Sequence, residues 1–412
     1  MSNSSDAVTM IEPTTKRVTI RECQNKDNIS DLPDCIILHI LSFLNAKDAV
    51  RTCILSSRWK DLWKSLLSLT LHSSHFRTIK IFNKFVSRVL SLRDSSISLH
   101  ALDFYKIGLM APHLLKRIVN YALSHNVQRL GLSVVCDIAQ IPPTIFSCHT
   151  LTYLKLSVYP TRGNREETLF PNSLNLPALT VLDLQNFAFC AGDNGYAEPF
   201  LALNRLKQLA ISSCTVRDAR ILRVSSGTLF KLTLHNHSED FFTIELRTPS
   251  LCTFTFTGTP FQFFSKGSFS SVKHVDIDAN LFSRYIEPPV FLLSWLRQLS
   301  NIKSLIVSAT TLQIIALYPD LSKLKLPSLG MLKSLKVKTK PLEYGFCMKL
   351  LDVKLEKVKS QKEATKLRKA FKEGLEPSSP IPDGIMDFFI QNSPLAEVEI
   401  IDCSWQKAQS TS

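Results

Sequence analysis

Between Asp31 and Trp63 the chain reads DLPDCIILHILSFLNAKDAVRTCILSSRWKDLW, with apolar residues recurring at helical spacing. Ile36, Ile37, Ile40, Leu41 and Leu44 fall on one helix face. Pro33 suits the first turn, and Asp31 and Asp34 sit near the positive end of the helix dipole. Asn45 can cap a second helix carrying Ala49, Val50, Cys53 and Ile54. Ser56 or Ser57 can cap a third, with Trp59, Leu62, Trp63 and Leu66 on one side. This stretch holds two of the chain's four tryptophans. A chain below roughly 40 residues usually needs help to stay folded, so the apolar surplus must pack on the rest of the protein or on another protein. Further on, Phe82, Phe85, Val86, Val89 and Leu90 mark one more amphipathic helix.

From there a different pattern takes over: apolar, two others, apolar, one other, apolar. It occurs as LTYLKL from Leu151, LTVLDL from Leu179, LKQLAI from Leu206, LFKLTL from Leu229 and LCTFTF from Leu251. It returns as VKHVDI from Val272, IKSLIV from Ile302, LKSLKV from Leu332 and LAEVEI from Leu395, and the stretches at Leu66, Leu99 and Val127 also fit. With 45% apolar residues, any start matches by chance roughly 9% of the time, so single copies carry nothing. The weight comes from leucine at the first two positions, lead-ins such as LPAL, TPSL and SPL, and spacing. Most successive copies lie about 20 to 30 residues apart, the period of leucine-rich repeats.

In such a repeat the last two apolar positions share one side of a short strand, and the first enters the core just before it. No unit buries its own face, so neighbours stack and share a core, and parallel strands line a curved inner surface. Tyr153, Lys155, Lys207, Lys231, His274 and Lys303 are expected at outward strand positions there. The asparagine or cysteine that usually follows the strand is present at Cys214, Asn280 and Cys403 and missing from most other copies, which predicts uneven turns. VYPTRGNREETLFPNS and CAGDNGYAEP read as loops. Between Lys340 and Leu395 the period fails. There LEKVKSQKEATKLRKAFKEGL predicts a helix with Leu355, Val358, Leu367 and Phe371 near one face, broken by PSSPIPDG.

The chain's 412 residues leave room for a sizeable core. The first residues carry no apolar segment of signal-peptide type, no run approaches the roughly 18 apolar residues of a membrane span, and the ten cysteines are scattered. These features predict an intracellular chain with reduced thiols. The net charge of +14 gathers in the last third, notably in KLLDVKLEKVKSQKEATKLRKAFKEG. Lysine outnumbers arginine there, with no aromatics between the charges. The segment reads first as a solvated helix face, next as a surface for an acidic protein, and last as a nucleic-acid surface.

Candidate chemistry is sparse. LHNHSED brings His235, His237, Glu239 and Asp240 close in sequence, and LHSSH holds His72 and His75. Metal sites need ligands converging in space, and a solvated turn explains both. Cys148 and His149 are sequence neighbours, which does not make a nucleophile and its base. No phosphate-loop, zincin, nucleophile-elbow or dinucleotide signature occurs. The expectation is a non-enzyme with no cofactor and no metal.

The opening stretch resembles an F-box: LPD at Leu32 to Asp34, ILHILSFL, a break, then AVRTCILSSRWKDLW. The resemblance covers about 40 residues, and the serine-serine-arginine-tryptophan form is typical of plant members. It implies a three-helix module that docks on the Skp-type adaptor of a cullin–RING ubiquitin ligase. The contact set it implies is drawn from Leu32, Pro33, Ile36, Ile37, Ile40, Leu41, Leu44, Val50, Cys53, Leu55, Arg58, Trp59 and Trp63. The ending IMDFFIQNSPLAEVEII resembles the close of the C-terminal FBD-type module of plant F-box repeat proteins, without its tryptophan-proline opening.

The expected architecture is α/β: a three-helix F-box followed by an irregular leucine-rich-repeat solenoid. The expected boundaries are a disordered tail at 1–26, the F-box at 27–66, repeats at 67–340 and a C-terminal region with a basic helix at 341–412. The resemblance implies a substrate receptor of a ubiquitin ligase in nucleus or cytoplasm, with the adaptor, cullin, RING protein and a target as partners and no membrane. A repeat scaffold without ubiquitin transfer, and a small-ligand-sensing receptor, are the other readings.

Overall fold

The computed structural model describes residues 29, 32–136, 140–159, 168–237, 242–260, 262–281, 288–358, 360–374 and 380–403. The tail expected at 1–26, the middle of the VYPTRGNREETLFPNS loop, Glu239 and Asp240 lie outside these.

Helix α1 spans Asp34–Ser42, with Pro33 at its N-cap and Asp34 in its first turn. Helix α2 spans Ala46–Arg51, and the Asn45 side chain accepts from the Asp48 amide at 3.0 Å, as its position predicts. The third helix expected there is instead two 3-10 turns, Arg58–Lys60 and Leu62–Ser65. Asp61 between them sits at φ −116°, far from the helical value near −63°. The break lets Trp59 and Trp63 both turn into the core.

Each of the twelve copies named above forms a strand of one parallel sheet of twelve. In order they are β1 Ser68–His72, β2 Ala101–Leu109, β3 Arg129–Val135 and β4 Tyr153–Tyr159. Next come β5 Val181–Gln185, β6 Gln208–Ser212, β7 Lys231–Asn236 and β8 Thr253–Gly258. The last are β9 His274–Ala279, β10 Ser304–Ser308, β11 Ser334–Thr339 and β12 Glu397–Asp402. Each pairs with the next in register, so Leu154, Leu182 and Leu209 form one row. These leucines are fully or almost fully buried. The first apolar residue of each copy lies two positions before its strand, and from Leu99 to Leu332 all ten are fully buried.

Helices α3 (Ile79–Leu92) and α4 (Pro112–Ser124) connect the first three strands. In α3 the residues Phe82, Val86, Val89 and Leu90 are buried, and Phe85 is half-buried. Later connections are thinner and carry short strands at Ala188–Cys190, Thr215–Arg217, Ile221–Ser225, Thr243–Arg247 and Phe263–Phe264. The Phe264 ring meets Phe254 of β8 at 5.5 Å, which places that small sheet against the core side of the main one. Helix α5 (Pro288–Gln298) brings Trp295 into this aromatic cluster, 4.8 Å from Phe256.

Cys214 fills the turn after β6, its thiol donating to the Leu184 carbonyl at 3.7 Å. Burial pushes that thiol up to about 12. Asn236, which the sequence pattern does not single out, does similar work after β7, donating to the Thr259 carbonyl at 2.8 Å. Gly258 ends β8 at φ +110°, where a Cβ would lie 1.9 Å from the Asn236 carbonyl oxygen. Only glycine fits so close an approach.

Beyond Ala309–Ile315 (α6) the chain inserts three helices between β11 and β12: α7 Tyr344–Lys357, α8 Gln361–Lys372 and α9 Ile385–Asn392. The single helix predicted from Leu355 to Phe371 is thus divided, with Val358 extended. The reason is packing. Helix α7 buries Phe346, Leu350, Leu351 and Val353, and the chain turns so that α8 returns across it. The SPL turn follows α9 and leads into β12, as its sequence predicts.

Candidate protein-binding surfaces

Helix α1 divides its apolar residues between two faces. Ile37 and Leu41, one turn apart, are fully buried, while Ile36 and Ile40 stand exposed and Leu44 continues their spacing past the helix end. Phe43 at the C-cap is 77% exposed, and Ile54 and Leu55, at the 3-10 turn Thr52–Ile54, are 82% and 61% exposed. Pro33 is exposed, and Leu32, Val50 and Cys53 are half-buried. The Arg58 guanidinium reaches back across the module to Asp34, at 2.7 and 3.2 Å. Apolar side chains this exposed and this dense mark an interaction surface.

Four residues in the contact set implied by the resemblance are therefore placed differently: Ile37, Leu41, Trp59 and Trp63 are core. They hold the helices in place, because in this chain alone they have no free surface to offer. Phe43, at the end of α1, and Ile54, on the 3-10 turn, lie outside the set implied by the resemblance and stand exposed beside it.

The module is joined to the sheet by a buried arginine. Arg93, after α3, donates from Nε and Nη2 to the Leu66 carbonyl at 3.1 and 2.8 Å. It also donates to the carbonyls of Ile97 and Ser98, each at 2.8 Å, and to the Tyr121 hydroxyl at 3.2 Å. β1 begins two residues after Leu66, so the linker carries almost no slack.

The inward faces of the strands form rows read straight from the register. One row runs Thr70, Asp103, Gly131, Lys155, Asp183 and Ala210. Gly131 makes room there for the Asp103 carboxylate, which a Cβ would meet at 2.7 Å. The resulting hollow has a volume of about 530 Å³ and is walled by Tyr105, Tyr153, Arg129, Lys155 and His72. Its polar side chains are paired: His72 meets Asp103 at 3.0 Å, and the Lys155 ammonium meets Asp183 at 3.4 Å. The Arg129 guanidinium lies over the Tyr153 ring at 4.3 Å. At the other end Lys336 meets Glu399 at 2.7 Å, and Lys338 and Lys340 reach Asp276 and Asp278 at 2.8 and 3.6 Å.

Tyr153, Lys155, Lys231 and His274 lie on strands as expected, but Lys207 and Lys303 do not. Each immediately precedes its strand and stands on the rim, since the motif's second position belongs to the incoming turn. Of the His and Cys candidates, His72 and His75 come together, their rings stacked at 5.6 Å. Among the described residues no group of three or more His, Cys, Asp or Glu could hold a metal ion. The described cysteines are all free thiols, and no described helix is long and apolar enough to cross a membrane.

A helical module with an exposed apolar face, fused to a parallel sheet of leucine-rich repeats, defines an F-box and repeat architecture, and residues 29–71 match the F-box domain family. The match runs into β1, so the module and the first repeat share a strand. The chain is similar to an F-box/FBD/LRR-repeat protein of Arabidopsis thaliana, 26% identical over 367 residues, which cover 83% of this chain and 77% of the relative. It is also similar to an FBD-associated F-box protein of the same plant, 27% identical over 316 residues (73% and 69% covered). A third relative there, F-box/LRR-repeat protein 13, is 29% identical over 233 residues, which cover 54% of this chain and 49% of the relative. Residues 29–71 are thus an F-box, and the chain that follows is similar to plant F-box/leucine-rich-repeat proteins.

Proposed function

We propose that this protein is the substrate receptor of an Skp–cullin–F-box ubiquitin ligase. The observation that carries the reading is the exposed apolar set Ile36, Ile40, Phe43, Leu44, Ile54 and Leu55 on the F-box. These side chains, with Pro33 and Arg58 beside them and Leu32, Val50 and Cys53 partly exposed, are the adaptor surface. Ile37, Leu41, Trp59 and Trp63 shape it from beneath. Cullin and RING protein join through the adaptor, and the repeats hold the target. The mechanism is proximity: ubiquitin is transferred by the RING-bound enzyme, and the receptor supplies effective concentration and orientation. Such a receptor works where the ubiquitin machinery is, in nucleus or cytoplasm.

The test replaces Ile36 and Ile40 with Asp in the full chain and measures co-purification with a recombinant Skp-type adaptor. Helix content and melting should hold, because both side chains are exposed, while adaptor binding should fall below detection. Retained binding would overturn the docking surface. The scaffold reading separates at the next step, in reconstituted ubiquitin transfer to a captured target. The small-ligand reading has a place in the Gly131 hollow, but the cations there already face carboxylates or a ring, which does not favour an anionic ligand.

A further inference from the structure

Two groups of lysines along the main sheet differ in their surroundings. On the inner face, Lys155, Lys336, Lys338 and Lys340 each meet a carboxylate. On the rim, Lys273, Lys303 and Lys333 each immediately precede a strand in three successive repeats, β9, β10 and β11. Their backbones are tied together: the Lys303 amide donates to the Lys273 carbonyl at 2.8 Å, and the Lys333 amide to the Lys303 carbonyl at 3.0 Å. Neighbouring parallel strands lie about 4.8 Å apart, so three ammonium stems rise from consecutive rungs. Like charges placed side by side across strands destabilise a sheet. No described carboxylate pairs with any of the three, and none lines the groove they border.

That groove has a volume of about 620 Å³. Its apolar components are Ile302 in the floor, Pro249, and Phe230 and Met331, which are 52% and 64% exposed. The hydroxyls of Ser250 and Ser271 already donate to the carbonyls of Gly227 and Thr248, at 2.6 and 3.1 Å, which leaves the lysines as the main free donors.

We infer that this rim groove docks an acidic peptide segment, its carboxylates or phosphates on Lys273, Lys303 and Lys333 and its apolar side chains against Phe230 and Met331. A row of uncompensated cations costs stability unless an anion from outside completes it. The apolar elements select a peptide over a nucleic acid, which would favour an extended basic stripe with aromatic platforms for stacking. As a statement about target capture the inference rests on the receptor reading, but the groove's binding can be measured without adaptor or ligase.

The experiment uses the full chain and fluorescein-labelled peptides rich in Glu and Leu, with a matching set bearing phosphoserine, read by fluorescence anisotropy at two salt concentrations. The variant Lys273→Glu/Lys303→Glu/Lys333→Glu should weaken binding about tenfold or more and flatten the salt dependence, as loss of charge complementarity does. A control, Lys362→Glu/Lys366→Glu/Lys369→Glu, makes the same charge change on exposed positions of α8 and should shift affinity less than about threefold, as remote screened charges do. Whichever peptide set binds more tightly identifies phosphate or carboxylate as the source. Equal losses in the two variants, no binding by either peptide set, or tighter rim-dependent binding of a single-stranded oligonucleotide would each overturn the inference. A second readout guards against misfolding: Lys303→Gln, at the middle of the row, should raise the melting midpoint by relieving repulsion, and a lower midpoint would contradict an uncompensated row. Failure here leaves adaptor docking untouched.

Discussion

Two leucines at the same place in the repeat test what burial by a neighbour contributes. Leu206 opens the copy that becomes β6 and is fully buried; Leu395 opens the copy that becomes β12 and is 66% exposed. The sequence cannot tell them apart, since both begin the same apolar pattern. Replacing either with Ala removes three carbons, which at about 0.8 kcal/mol each is about 2.4 kcal/mol of lost burial for a fully covered side chain. At Leu206 a cavity adds to this. Leu179 and Leu229, at the same position in the adjoining repeats, are themselves fully buried. The backbone there is pinned by the Lys207 and Gln208 amides donating to the Thr180 carbonyl at 2.8 and 3.0 Å. Little collapse is available, so Leu206→Ala should cost about 3–4 kcal/mol, inside the range of buried leucine truncations. Leu395→Ala should stay within about 0.5 kcal/mol. Urea unfolding followed by far-UV circular dichroism reads both through the midpoint, provided the slope is shared with the parent chain. Equal costs at the two positions would refute the claim that stacked neighbours, rather than the motif, bury these leucines. A changed slope for Leu206→Ala alone would show instead that the repeats do not unfold as one unit.

Gly258→Ala should lower stability by at least about 1 kcal/mol, because its φ of +110° and the Asn236 carbonyl both exclude a Cβ; a melting scan with no loss would contradict the close approach. Arg93→Ala, which strands the carbonyls of Leu66, Ile97 and Ser98, should cost about 2–4 kcal/mol, since buried partners of a charged donor are left unpaired. Arg93→Lys should restore little, because one ammonium cannot span three carbonyls; full rescue by lysine in a thermal melt would argue that charge alone matters. Cys214 gives a pH signature. Its folded thiol titrates near 12 against 9.0 unperturbed, so the unfolded chain loses that proton first and the contribution is intact below pH 9. It is then lost as pH rises toward 12, at up to about 1.4 kcal/mol per pH unit. The stability difference between parent and Cys214→Ala should shrink over that window, and a constant difference would refute the buried thiol.

Much of the fold is legible in the sequence because both signals are periodic and local. The strands copy a spacing that needs only alternation and a leucine lead-in, and the twelve copies picked out by lead-in and period form strands of the one sheet. Asn45 caps α2 as its position predicts, since a cap needs only one side chain and one amide three residues on. What failed was continuity. Trp59 and Trp63 lie at helical spacing, yet the chain breaks at Asp61 because the core takes both rings. The helix read through Val358 splits because α7 carries its own buried face.

The sequence by itself determined the repeat, its register, and the presence of more apolar surface near the start than that stretch could bury. The tertiary structure decided which half of that surface stays outside. Ile36 and Ile37 are neighbours of equal hydrophobicity, and only packing of α1 against the Leu62–Ser65 turn separates an exposed side chain from a buried one. It also decided that lysines three residues apart in the motif differ in kind. Lys336 sits on a strand and meets Glu399 on the next, whereas Lys333 precedes the same strand and stands on the rim with Lys303 and Lys273. Spacing along a chain fixes which residues recur. Whether a charge meets its opposite depends on what the next strand brings beside it, and that is settled only when the strands stack.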